Sequence, residues 1–302
     1  MASKYSPYQI LQLLQVSSWR CKSTLDYTGF ASLSEAIIQH NVSNDFADIQ
    51  QNYLNELLND ARKEKEVGGQ VSKSEQYINA ILFYNDCLSW KDFQQEVARC
   101  ERFLDVPKID FSKSQKQGIT VIYDKVESAS LNQTIAYLQS HTQLAVSALP
   151  IEVNENLSLL ETFDKCIQEF PFIVWCISDA CNDLDLLSST PELEAYISSG
   201  QIIPVRLSRD LSKRNLTTSF LGKKPISSGL LGFYLSIALI QQDMEVFNSL
   251  LEKDEVKKSP LNSSRFYVAQ NTGTIYQIDK LKGGNITLGG NFVQKIYKKS
   301  KK

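Results

Sequence analysis

Residues 119–149 read ITVIYDKVESASLNQTIAYLQSHTQLAVSAL, and this stretch decides the fold. An apolar run rich in β-branched residues, ITVIYD at 119–124, precedes a helix-like segment at 130–141 and a second apolar run at 143–149. Short apolar runs are typical of strands that a sheet buries on both faces. A strand, a helix and a second strand in this order predict a right-handed βαβ unit with parallel strands.

The same alternation continues toward the C-terminus. A helix is predicted over 155–170, a third strand, FIVWCIS, over 172–178, and a fourth strand, IIPVRL, over 202–207. Beyond residue 208 the sequence is loop-like until a further helix, predicted over 229–252. We therefore predict an α/β fold with a flavodoxin-like parallel sheet and helices on both of its faces.

The sequence on either side of this region has a different character. Before it, apolar residues recur at helical spacing, most clearly over 45–63, and Ser6 and Ser89 stand where helix caps are expected. After it, short β-rich runs alternate with turn signals such as KGG. The predicted domains are an all-α N-terminal domain at 1–105, a linker at 106–118, the α/β domain at 119–255 and a short β-rich, hairpin-like tail at 256–302.

Composition excludes several classes of function. A net charge of -2 gives no attraction for nucleic acid, so we expect no nucleic-acid partner. The longest apolar stretch, at 229–240, is shorter than the roughly 20 residues that span a bilayer, so no membrane partner is expected. Six cysteines without a CxxC pair, and no signal peptide, favour a reduced cytoplasmic chain. The only two histidines, His40 and His141, are far apart, so no metal site is predicted.

Polar residues gather where the predicted strands end. Ligands of open parallel sheets bind outside the carboxyl ends of the strands, and these ends are followed here by four polar loops. None of the four loops contains GxGxxG or a Walker motif, which argues against an ordinary dinucleotide or triphosphate site. Arg206, directly after IIPV, has two equally open roles, a phosphate contact or a surface salt bridge.

Glu192 is the main candidate for a catalytic residue. It lies in STPELEAYISSG, the helix predicted after the third strand, and its spacing from Ser189 is that of a capping box, which is a purely structural role. Alternatively, its carboxylate faces the crevice, where it can hydrogen-bond a ribose hydroxyl and stabilise the positive charge of a breaking N-glycosidic bond. Glu194 lies about 200° further around the helix and cannot face the same pocket.

The order of elements from 119 to 207 resembles that of a Toll/interleukin-1 receptor (TIR) domain. The likeness also includes one local motif, Glu192 followed by the small residues at 198–200 and then IIPV. Enzymatic TIR domains cleave NAD at its nicotinamide bond with a glutamate on the helix after the third strand, so the resemblance implies that Glu192 is catalytic. The residues expected to border the nucleotide are Tyr123, Asp124, Lys125, Ser128 and Arg206.

The resemblance implies an effector with NAD glycohydrolase (NADase) activity, for which NAD is the substrate and no cofactor or metal is needed. It further implies self-association through the TIR-like domain, a protein or small-molecule trigger at the N-terminal domain, and a role in antiviral (antiphage) defence. Two other functions stay open. One is a non-catalytic TIR-like oligomerising adaptor, and the other is a nucleoside-processing hydrolase, which also uses a glutamate on an α/β sheet.

Overall fold

The structure is a computed structural model that describes residues 2–44, 46, 48–104, 109, 117–142, 144–151, 159–178, 195, 197–207 and 226–256. Residues 1–244 form one compact unit and residues 245–302 a second. Apart from Val256, the predicted tail at 256–302 lies outside the described residues, as does most of the predicted linker at 106–118.

The N-terminal part of the chain is mainly helical. Its two short strands pair antiparallel, with Tyr5 opposite Val71, and this ribbon was not predicted from the sequence. The elements are β1 (Ala2–Tyr5), α1 (Pro7–Arg20), α2 (Tyr27–Asn41), α3 (Gln51–Val67), β2 (Val71–Ser74), α4 (Glu75–Tyr84) and α5 (Trp90–Glu101).

The helix predicted over 45–63 occurs with different bounds. It begins at Gln51, because Gln50 is extended, and it continues to Val67. Ile49 precedes the helix but is fully buried. Its apolar side chain fits the helical spacing of the sequence, and the predicted helix therefore began too early. Gly68, with φ of 70°, ends α3 in the left-handed conformation.

The sheet confirms the predicted α/β class. Its five strands are all parallel and follow the order β4-β3-β5-β6-β7, the order of flavodoxin-type doubly wound sheets. The strands are β3 (Gly118–Asp124), β4 (Ala145–Ile151), β5 (Phe172–Ile177), β6 (Ile202–Arg206) and β7 (Ser227–Ser228). Four of them were predicted; β7 was not, because two serines have no apolar signal.

Helices connect and cover these strands. A short 3-10 turn, Lys125–Glu127, leads from β3 into the first of them. The helices are α6 (Ser128–His141), α7 (Leu159–Glu169) and α8 (Gly229–Val256). In the core between α7 and β5, the Phe163 ring packs edge-on against Trp175 with ring centroids 5.5 Å apart, and Trp175 is 2% exposed.

The strand order contains one topological switch. From β3 the chain first forms β4 on one side, then crosses to β5 on the other side and continues outward to β6 and β7. The carboxyl ends of β3 and β5 are therefore the place where such a sheet opens a crevice for a ligand. Among the described residues, no helix is both long and apolar enough to cross a membrane.

Candidate functional site

The carboxyl ends of β3 and β5 bring two buried polar side chains together. Asp124 ends β3 and is 4% exposed, and Ser178 directly follows β5 and is 1% exposed. Ser178 Oγ donates to Asp124 Oδ2 over 3.5 Å, while the amide of Val126 donates to Asp124 Oδ1 over 2.9 Å. The carboxylate is thus held in a defined orientation at the switch point of the sheet.

Tyr123 anchors the end of β3 to α6. Its side chain is buried, and its hydroxyl donates to Asn132 Oδ1 over 2.9 Å. Burial raises the pKa of Tyr123, and a side-chain hydrogen bond with Ser128 opposes part of that shift. The phenol therefore stays neutral at physiological pH and serves as a hydrogen-bonding group.

The other two residues expected from this segment lie closer to solvent. Lys125 is exposed and opens the 3-10 turn, and Ser128 is half-buried and begins α6. Tyr123, Asp124, Lys125 and Ser128 thus form one short segment that leaves the sheet at its ligand-binding edge.

Arg206 lies inside the protein. It is the last residue of β6, it is 4% exposed, and it pairs in register with Ile177 of β5 and with Ser228 of β7. A surface position is therefore wrong for Arg206, while a salt bridge and a phosphate contact both stay predictions. Asp124 and Arg206 are the last residues of two parallel strands in one sheet, so they lie at the same edge of it, two strands apart.

Glu192 lies outside the described residues, as do Ser189 and Glu194. Just after them, the backbone at Ala195, Ile197 and Ser198 is helical, and Gly200 adopts a φ of 78° before β6 begins. The end of the predicted helix, the small-residue turn and the strand IIPV are thus observed in the predicted order. The role of Glu192 itself stays a prediction.

One feature of this edge was missed by sequence reasoning. Two glycines three residues apart, Gly229 and Gly232, stand between β7 and the body of α8 in the sequence SSGLLG at 227–232. The stretch differs from the GxGxxG motif at its first position, where Ser227 replaces glycine. The signal that could have found the turn is a glycine pair at this spacing directly before a long apolar helix.

The comparisons with known proteins add no functional assignment. Neither protein-family models, nor curated proteins, nor solved structures give a match to this chain. Within the part of the chain that the structure describes, no group of three or more His, Cys, Asp and Glu side chains could hold a metal ion. The resemblance to a TIR domain therefore stays a prediction, based on the order of elements and on the local motif around Glu192.

Proposed function

We propose that this chain is a TIR-like enzyme that cleaves NAD and releases nicotinamide, with the nucleotide bound at the switch point between β3 and β5. The observation that carries the proposal is the meeting of Asp124 and Ser178 at that point, both nearly fully buried. Buried polar side chains at the ligand-binding edge of a parallel sheet are the groups that would orient a ribose through its hydroxyls.

The charges at this edge fit a nucleotide. Carboxylate oxygens accept more than one hydrogen bond, so Asp124 can receive a ribose hydroxyl in addition to the Val126 amide. Lys125 is exposed beside it, and Arg206 adds a buried positive charge at the end of β6. Positive side chains at the same edge favour the phosphates of the ligand.

In the proposed reaction, Glu192 acts on the ribose. The bond between ribose C1′ and the nicotinamide nitrogen breaks, and its electron pair leaves with nicotinamide. The Glu192 carboxylate stabilises the positive charge that develops on the ribose. Water then bonds to C1′ and loses a proton, so the products are nicotinamide and ADP-ribose.

The proposal also covers how the active protein assembles and in which cellular compartment it acts. The active form self-associates through the TIR-like domain, and the N-terminal helices receive a protein or small-molecule trigger. The setting is a reduced cytoplasm, which is supported by the five described cysteines, since none of them forms a disulfide. Depletion of NAD on infection would then serve antiviral defence.

Nicotinamide release from NAD by concentrated protein tests the proposal, with the oligomeric size measured on each sample. Glu192→Gln should lower the rate by about 100-fold or more, because it removes the charge that stabilises the transition state. Glu194→Gln is the matched control and should retain activity.

The outcomes separate the competing functions. A Glu192→Gln variant as active as the wild type would contradict the assignment of the catalytic residue. Cleavage of free nucleosides with NAD spared would favour the nucleoside hydrolase. If the assembled wild-type protein cleaves neither NAD nor free nucleosides, the result would favour the non-catalytic adaptor.

A further inference from the structure

The turn between β7 and α8 has the backbone features of an anion site. Helix α8 starts at Gly229, directly after β7, at the same sheet edge as Asp124 and Arg206. The first N–H groups of a helix have no intrahelical partner, and they carry the positive end of the helix dipole.

The hydroxyl of Ser228 distinguishes this helix start from others. The residue is 2% exposed, and its Oγ forms no hydrogen bond within the part of the chain that the structure describes. Ser228 directly precedes α8, where a serine ordinarily accepts a hydrogen bond from the first turn of the helix. A buried hydroxyl is nearly always paired in a native protein, so this one indicates a partner that binds from outside the chain.

The two glycines of the turn provide room and close packing. Gly229 has a φ of 66°, and a Cβ added there would meet no atom of the described residues within 4 Å, so the backbone borders open space in that part of the structure. At Gly232 an added Cβ would lie 2.5 Å from Ser227 Oγ, which shows how closely α8 approaches β7. Close access to the backbone and close packing of helix on strand are two of the three uses of glycine in the phosphate-binding turn of dinucleotide folds.

Charge on the two faces of the sheet also favours an anion. Arg206 is the register partner of Ser228, so their side chains leave the same face of the sheet. Ser227 leaves the opposite face and donates to Glu96 Oε2 over 2.5 Å, and Glu96 is in turn paired with Arg99. The Glu96 carboxylate is therefore paired and lies on the other side of the sheet.

We infer that the turn at 227–232 binds a phosphate or diphosphate group, held by Ser228 Oγ, the first N–H groups of α8 and the charge of Arg206. The inference does not require NAD cleavage, because it assigns a site to the phosphate chemistry alone. The group can belong to a nucleotide or be a free inorganic anion, and titrations distinguish these two sources.

Calorimetric titration of the full chain with inorganic pyrophosphate tests the site. Gly229→Asn should weaken binding by at least about 10-fold, because its side chain fills the open space while asparagine tolerates the left-handed conformation. Gly68→Asn is the matched control, since Gly68 has a φ of 70° and equally open space but lies at the other end of a different helix. It should bind pyrophosphate like the wild type.

Ser228→Ala keeps the test independent of folding. It removes one donor and should weaken pyrophosphate binding, while its melting temperature should be no lower than that of the wild type, because the hydroxyl lost is unpaired. Tighter binding of ADP-ribose than of pyrophosphate would identify a nucleotide as the source, and equal binding would identify a free anion.

Absence of pyrophosphate binding by the wild type would overturn the inference, and so would equal binding by the wild type and Gly229→Asn. Pyrophosphate binding without nicotinamide release would support this site while contradicting the NAD-cleaving function. Nicotinamide release without pyrophosphate binding would support the NAD-cleaving function and contradict this site.

Discussion

A buried carboxylate joins the helical part of the chain to the sheet. Glu96 on α5 is 4% exposed and contacts both Arg99 Nη1 and Ser227 Oγ, each at 2.5 Å. A buried charge is tolerated only when it is paired, because its loss of hydration is otherwise uncompensated. Removing either Glu96 or Arg99 alone should therefore lower the free energy of unfolding.

Replacement of Arg99 tests this pair. Arg99→Leu should lower the free energy of unfolding by about 3 kcal/mol, because it leaves the Glu96 charge buried without its partner. Denaturant titration measures the loss, and adding Glu96→Gln to the same chain should recover part of it.

The control for this substitution is Arg20→Leu. The Arg20–Asp86 pair is 2.7 Å long, but its side chains are 21% and 48% exposed, so its loss should cost no more than about 1 kcal/mol. Equal losses for the two arginines would show that burial of Glu96 is not what makes its pair important.

Residue-scale contacts of this kind were not predictable from the sequence. Glu96 lies three residues before Arg99, which reads as an ordinary exposed pair on a helix, and its other partner, Ser227, is 131 residues away. Tyr123 and Asp124 were expected at the site only because of the resemblance to a TIR domain. The contact of Asp124 with Ser178 joins two strand ends whose spacing only the folded sheet defines.

At the scale of elements, helix starts differ in how their caps are made. Ser89 stands at the start of α5, where its Oγ accepts from the Asp92 amide over 3.2 Å, as the sequence predicted. Ser6 also stands at the predicted helix start, but its side chain makes no capping hydrogen bond to α1. Pro7 follows it, and proline at the first helical position leaves one N–H fewer to satisfy.

These two serines give a matched pair of variants. Ser89→Ala should lower the free energy of unfolding by about 1 kcal/mol, because the Asp92 amide loses its acceptor. Ser6→Ala should change it much less, and thermal melts of both proteins in one buffer check the difference. A larger loss for Ser6→Ala would contradict the assignment of the caps.

Element prediction succeeded where burial is strong and failed where it is weak. The strands β3, β5 and β6 are buried at every residue, so their apolar runs are unbroken in the sequence. The strand β7 consists of two serines and is placed by packing against α5 and pairing with β6, neither of which leaves a local signal. The β1–β2 ribbon pairs residues about 70 positions apart and was missed for the same reason.

At the scale of the whole molecule, the helical part of the chain and the sheet belong to one compact unit, residues 1–244. Several polar contacts connect them, including Tyr137 to the carbonyl of Ser23 over 2.6 Å and Gln12 to Gln242 over 3.1 Å. If the N-terminal helices receive a trigger, as proposed, their direct contacts with α6 and α8 are a physical route by which it would reach the ligand-binding edge.

The central claim is that a nucleotide binds at the carboxyl edge of this sheet, and amide hydrogen exchange with and without ADP-ribose tests it most directly. The first N–H groups of α6 and α8 lack intrahelical partners and should exchange readily in the free protein. We predict that ADP-ribose slows exchange over 124–132 and 226–232 and leaves α1 to α5 unchanged. Protection confined to the N-terminal helices, or no protection anywhere at saturating ADP-ribose, would contradict the account.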